Sequence, residues 1–119
     1  MPLLIINTSV DALSQSTIET LHKKGRQILS EEIGKSINYC MVMVNGGCSL
    51  SFGHEWNQST AYLEVKNVGK LTPDHTSRLS NKLSQLIEES MSVPSDRTYI
   101  EFQESERHLW GWNGATFAN

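Results

Sequence analysis

Few residues in this chain of 119 stand in a spacing that chemistry could use. The first is Pro2, directly behind Met1 and ahead of the apolar run Leu3-Leu4-Ile5-Ile6. If Met1 is removed, Pro2 becomes a free secondary amine at the start of a buried strand. Terminal amines titrate at roughly 7.7–8.0, so this one could take up and return a proton near neutral pH. Proline is a small second residue, and loss of the methionine is the expectation. The other reactive side chains form no pattern. His22, His54, His75 and His108 are scattered, and Cys40 and Cys48 lie eight positions apart, which is no metal-ligand spacing. Asn67-Val68-Gly69-Lys70 ends in Gly-Lys but lacks the earlier glycine of a phosphate loop, and no G-x-S-x-G occurs. Neither a metal nor a cofactor is expected.

Composition narrows the class. Hydrophobic residues make up 38% and charged residues 19%, as in a soluble domain, and 119 residues fit one domain with a real core. A net charge of −3 and the absence of a Lys/Arg cluster argue against nucleic acid. No apolar run nears the ~18 residues that a membrane span needs. The N-terminus has no basic region ahead of a cleavage pattern, and two cysteines make no disulfide framework. The expected setting is a reducing cytoplasm.

The elements that must position Pro2 follow in order. Leu3 to Asn7 reads as a strand, and Ser16-Thr17-Ile18-Glu19 matches a capping box that opens a helix. Ile18, Leu21, Ile28, Leu29 and Ile33 share one face of it, and Gly34 is a natural stop. Tyr39 to Val44 reads as a second strand and Cys48 to Ser59 as irregular. Thr60 to Lys66 is a third strand, followed by a turn at Asn67 to Lys70. Thr72 caps a second helix with Pro73 at its first position and Leu79, Leu83, Leu86, Ile87 and Met91 on its apolar face. Arg97 to Gln103 is the fourth strand, with a Trp-rich tail behind it. Leu21 and Leu79, Ile28 and Leu86, and Leu29 and Ile87 are each 58 residues apart. Strand, helix and strand therefore occur twice, in repeats spanning 2–57 and 58–119 of a single domain, and in one register. Each unit should join two parallel strands through its helix.

Two helices can cover only one face of a four-stranded sheet. The first two strands are apolar without alternation, so their second face needs another cover, and a homo-oligomer with sheets facing inward is inferred. In the fourth strand Ile100 and Phe102 share the helix face, which turns Tyr99, Glu101 and Gln103 toward that interface. A tyrosine and a carboxylate at an apolar interface suggest a site there.

Several motifs together support a family resemblance. Met1-Pro2, Asn7-Thr8, Gly34-Lys35, Phe52-Gly53, Val68-Gly69-Lys70, Pro94-Ser95-Asp96-Arg97-Thr98-Tyr99-Ile100 and Gly111-Trp112-Asn113-Gly114-Ala115-Thr116-Phe117-Ala118 come in this order. Over nearly its whole length the chain resembles the macrophage migration inhibitory factor family of the tautomerase superfamily. The resemblance implies an α/β (α+β) fold: two β-α-β repeats in a four-stranded mixed sheet, two helices on one face, assembled as a homotrimer. It also implies keto–enol tautomerisation of a small aromatic keto acid such as phenylpyruvate, with dopachrome-type activity as a further possibility of the family. Pro2 would be the catalytic acid/base, and Lys35 with the backbone N–H of Val68 would hold the substrate carboxylate. Tyr99 would come from a neighbouring subunit. Leu3, Tyr39, Trp110, Trp112 and Phe117 would wall the pocket, with Glu101 near it.

The chain also departs from the family. Thr60-Ala61-Tyr62-Leu63 stands where the animal cytokines have Cys-x-x-Cys, which excludes thiol–disulfide activity by that route. Glu101 replaces an Asn, Lys66 replaces a His, and the 52–68 segment carries one extra residue. A non-catalytic interaction protein of the same fold is the alternative reading.

Overall fold

A computed structural model of the chain describes residues 1–118. β1 (Pro2–Thr8) is followed by α1 (Gln15–Ile33), a 3₁₀ turn at Ile37–Tyr39 and β2 (Met41–Asn45). β3 (Ala61–Val68), α2 (Pro73–Met91) and β4 (Thr98–Ser105) repeat that sequence of elements. A short hairpin, β5 (Gly111–Trp112) and β6 (Ala115–Thr116), ends the chain. The four long strands form one mixed sheet in the order β2-β1-β3-β4. As expected, each helix links a parallel pair, β1 with β2 and β3 with β4. The two units meet along the antiparallel pair β1–β3.

Strand parity sets the layers. Pro2, Leu4, Ile6 and Thr8 in β1 and Ala61, Leu63, Val65 and Asn67 in β3 are all buried. They face Leu21 and Leu29 of α1 and Leu79, Leu83, Leu86, Ile87 and Met91 of α2. Ile100 and Phe102 lie on this side, as parity required. Each Leu or Ile fully buried here contributes about 1.5–3 kcal/mol. The opposite face is open in the single chain, with Met41 63% and Met43 45% exposed. There Leu3 and Ile5 lie beside Met41 and Met43, while Tyr62, Glu64 and Lys66 lie beside Tyr99, Glu101 and Gln103.

Local chemistry moved some boundaries. α1 is capped by Ser14, whose Oγ accepts the Thr17 N–H at 3.1 Å, so the Ser16–Glu19 capping box does not form. Ser16 lies within the first turn, and Glu19 accepts from the Gln15 side chain instead. The expected strand from Tyr39 begins only at Met41, because Ser36 accepts the Asn38 N–H and caps a 3₁₀ turn through Tyr39. Asn67 and Val68 belong to β3 and not to the turn behind it, which falls on Gly69 at φ 112°. Gly34, Thr72 and Pro73 act as expected, Gly34 adopting φ 76° and donating its N–H to Ser30. His75 completes a capping box at α2, its Nδ1 accepting the Thr72 N–H at 3.1 Å.

The single register of the two units needs correction. The helices do start 58 residues apart, at Gln15 and Pro73. The strands that open each unit do not keep that offset. Helix-facing residues are even-numbered in β1 and odd-numbered in β3, so the offset there is odd. An even one would turn Leu63 and Val65 out of the core.

The cap assignment makes a measurable prediction. Ser14→Ala should cost about 1 kcal/mol in urea unfolding, whereas Ser16→Ala should stay within about 0.5 kcal/mol of wild type. The reverse order would restore the capping box at Ser16.

Candidate functional site

The helix-side core ends at Pro2, and the chain terminus projects from it into a cavity of about 220 Å³. Met1, Pro2, Leu3, Asn38, Tyr39, Cys40, Met41, Trp110, Gly111, Trp112 and Phe117 line it. Its floor comes from the start of β1 and from the 3₁₀ turn before β2. Its wall comes from the C-terminal hairpin, folded back over the N-terminus. That hairpin turns on Asn113 and Gly114, both with positive φ, the pairing that suits a tight turn between twisted strands. Phe117 donates its N–H to the Trp110 carbonyl at 3.1 Å, and Arg107 donates to the Phe117 carbonyl at 2.7 Å. Tyr39 meets Trp112 edge-on at 5.6 Å, and Phe117 lies parallel to Trp112 at 6.4 Å.

Lys35 brings a second positive charge near the N-terminal amine. The residue follows the helix-ending Gly34, and its backbone carbonyl accepts from Ser30 Oγ at 2.6 Å, which anchors the turn. Its Nζ lies 4.0 Å from the point where a side chain on Gly69 would begin. The N-terminal amine, carried here by Met1, titrates below its ordinary value. Burial is the larger cause and the Lys35 ammonium the second, while Cys40 acts weakly the other way. Cys40 is itself buried, and burial pushes its thiol up.

Val68, the last residue of β3, lies beside the site. Gly69 donates its backbone N–H to Ser105 on β4 at 3.1 Å. N–H groups alternate along a strand, so that of Val68 turns to the β1 side, one position beyond the Pro2–Asn67 pair.

Of the residues singled out in the sequence, Pro2, Leu3, Tyr39, Trp110, Trp112 and Phe117 line one cavity, with Lys35 and Val68 beside it. Tyr99 and Glu101 are elsewhere in the same chain. Tyr99 pairs with Tyr62, which in turn pairs with Asn7, five residues and so roughly 17 Å along β1 from Pro2. It is 67% exposed and packs on Phe52 at 4.9 Å. Arg97, expected to open the fourth strand, instead ends a 3₁₀ turn just before β4 and is buried; it holds the loop under that ring by donating to Ser59, Glu55 and Gln58 carbonyls and to Thr60 Oγ1. Glu101 accepts from the Tyr62 hydroxyl at 2.5 Å, a contact the sequence reading missed. That bond pushes the Tyr62 phenol up to about 12. Cys40 and Asn38 were also missed as lining residues; nothing in their spacing marks them. The Asn113-Gly114 pair could have announced the hairpin.

The larger concavity, about 630 Å³ beside α2, is lined by Ser80, Asn81, Ser84, Gln85, Glu88, Glu89 and Ser95. It has no aromatic wall. Among the described residues no three His, Cys, Asp or Glu side chains are grouped closely enough to hold a metal.

A doubled β-α-β unit with an aromatic-walled cavity over the N-terminus defines the tautomerase fold class. The chain belongs to the family described as macrophage migration inhibitory factor, whose sequence profile matches residues 1–118. It is 30% identical over 117 residues to a macrophage migration inhibitory factor homolog of Brugia malayi, covering 98% of this chain and 99% of that one. A solved homologue from Prochlorococcus marinus is 34% identical with a TM-score of 0.89, covering 97% of this chain and 98% of that one. A migration-inhibitory-factor-like protein from Entamoeba histolytica gives 26% and 0.88, with 98% of each chain covered.

Two titrations test this geometry. Lys35→Met should raise the pKa of the terminal amine, because a like charge that disfavours the ammonium is lost; burial should still hold it below its ordinary value. Amine-selective acylation followed against pH reads this, and an unmoved midpoint would remove Lys35 from the site. Glu101→Gln should lower the Tyr62 midpoint from about 12, as followed by tyrosinate absorbance.

Proposed function

We propose that the chain, once Met1 is removed, is a keto–enol tautomerase acting on a small aromatic keto acid such as phenylpyruvate. The observation that carries this is the convergence at one cavity of the chain terminus, the Lys35 ammonium and an aromatic wall. Pro2 would present a secondary amine whose pKa burial and Lys35 both depress, so its neutral form is available as a base near neutral pH. The aromatic residues Tyr39, Trp112 and Phe117 suit the ring of the substrate. Lys35 and the Val68 N–H suit its carboxylate and the charge that develops on the neighbouring oxygen.

The proposed cycle conserves the proton. The neutral amine takes it from the carbon next to the carbonyl; the C–H electrons form the C=C bond, and the carbonyl oxygen becomes an enolate. The ammonium then returns the proton to that oxygen, giving the enol. The reverse order returns the keto acid. With Met1 in place the Pro2 nitrogen is an amide and can do neither.

We infer further that the working form is a homotrimer with sites between subunits. The apolar strip of Leu3, Ile5, Met41 and Met43 supports this reading, since a single chain leaves it in water. So does the position of Tyr99 and Glu101, too far from their own Pro2 but displayed on the same open face. Glu101 would reach that interface engaged by Tyr62, which tempers its repulsion of an anionic substrate.

The test follows phenylpyruvate enol–keto conversion by the Met1-free protein and by Pro2→Gly, alongside sedimentation. Pro2→Gly should lose about 10²-fold in kcat/KM, the ordinary contribution of a positioned acid/base. Equal rates in both would end the Pro2 mechanism, and no rate in either would favour a non-catalytic binding protein. A dilute monomer would end the trimer.

A further inference from the structure

Among the described residues, one buried side-chain polar atom lacks a hydrogen-bond partner: Oδ1 of Asn67. The residue is 1% exposed, so bulk solvent does not reach it. Its Nδ2 donates to the Gly69 carbonyl at 3.4 Å, and reversing the amide would set two carbonyl oxygens against each other. The orphan is therefore the oxygen. Buried acceptors are almost always satisfied, and an exception asks for a missing donor.

The register supplies one. Asn67 stands directly opposite Pro2 across the β1–β3 pair, and both side chains are buried on the helix side. Because Gly69 donates to β4, the odd positions at this end of β3 turn their backbone groups away from β1. Pro2 and Asn67 thus form a pair without mutual backbone hydrogen bonds, the kind whose side chains approach most closely. On the other side, Asn67 Nδ2 and Lys35 Nζ lie 3.8 and 4.0 Å from the same point above Gly69.

We propose that Asn67 Oδ1 accepts a hydrogen bond from the Pro2 nitrogen once Met1 is gone, which makes Asn67 a positioning residue for the acid/base. Its catalytic consequence rests on the tautomerase reading. A protonated secondary amine has two N–H groups; giving one to Asn67 leaves the other directed to the cavity as the proton to be transferred. The neutral amine has a single N–H and one lone pair. Giving that N–H to the same oxygen turns the lone pair to the cavity. One acceptor thereby orients both states of the base, which a freely rotating primary amine would not achieve.

The same bond favours the ammonium, opposing burial and Lys35. The other groups facing the amine are Cys40 ahead of β2 and the Val68 N–H; Lys66 and Glu64 pair with each other on the opposite face of the sheet at 3.8 Å.

The test uses the Met1-free protein, verified by mass, with heavy-nitrogen proline, and follows the Pro2 resonance by NMR against pH. Asn67→Leu should lower the Pro2 midpoint by on the order of one pH unit. Asn67→Asp should raise it, and in both the acid limb of the phenylpyruvate rate profile should move with it. An unmoved Pro2 midpoint in folded Asn67→Leu overturns the assignment. Should that variant not fold, Asn67→Asp decides alone: a raised midpoint supports the bond and an unmoved one overturns it. If the midpoints move while the wild type shows no tautomerase activity at any pH, the bond stands and the tautomerase reading falls.

Discussion

The antiparallel contact between β1 and β3 is the seam on which the molecule depends. Among the described residues it is the one long pairing that joins one β-α-β unit to the other, and it runs from Pro2–Asn67 to Thr8–Ala61. Leu4, Ile6, Leu63 and Val65 meet across it with no exposure at all. Because both strands are central in the sheet, the first residue of β1 is held at depth and not left to fray as most chain starts are. The seam thus converts an ordinary N-terminus into a fixed, half-sheltered amine position. Lys35, the 3₁₀ turn and the C-terminal hairpin are then arranged around that position.

The second constraint is the shortage of helices. α1 and α2 lie together on one face and are tied at their exposed edges by Glu32, which pairs with Arg78 at 2.7 Å and with Lys82. Both cations hold the Glu32 carboxyl below the usual range. The two cations are themselves largely exposed, and pairs at a surface contribute little stability. Among the described residues nothing covers the other face, and its two halves differ. β2 and β1 present methionine, leucine and isoleucine, whereas β3 and β4 present tyrosines, carboxylates and Lys66.

How much of this could be read from the sequence depended on how local its cause is. Gly34, Thr72 and Pro73 act through their own backbone, and they stand where the sequence put them. Strand faces were legible from parity, because Ile100 and Phe102 could not both be core unless Tyr99 and Glu101 were not. Ser14 carries the same capping chemistry as Ser16, and it is Ser14 whose Oγ accepts the Thr17 N–H. The apolar run at Tyr39–Val44 concealed a 3₁₀ turn, since Ser36 acts on the backbone without altering the pattern of hydrophobicity. The cavity was legible only through the assembled family motifs. The Tyr62–Glu101 bond and the Pro2–Asn67 juxtaposition join residues 39 and 65 positions apart, and no periodicity within either strand announces them.

The doubling of the fold has a consequence for how many sites each chain can hold. The start of β3, at Ala61, is the counterpart of the start of β1, and it too lies at the edge of the core beside a helix and a parallel partner strand. The chain there continues backward into Thr60, whose N–H is bound by Ser9 Oγ at 2.9 Å and whose hydroxyl is bound by Arg97 at 2.6 Å. No amine can arise inside a peptide bond, and beside this second position the Arg97 guanidinium is held among carbonyl oxygens. Architectural twofold likeness therefore yields chemical singularity: a chain end is the one component that duplication cannot copy.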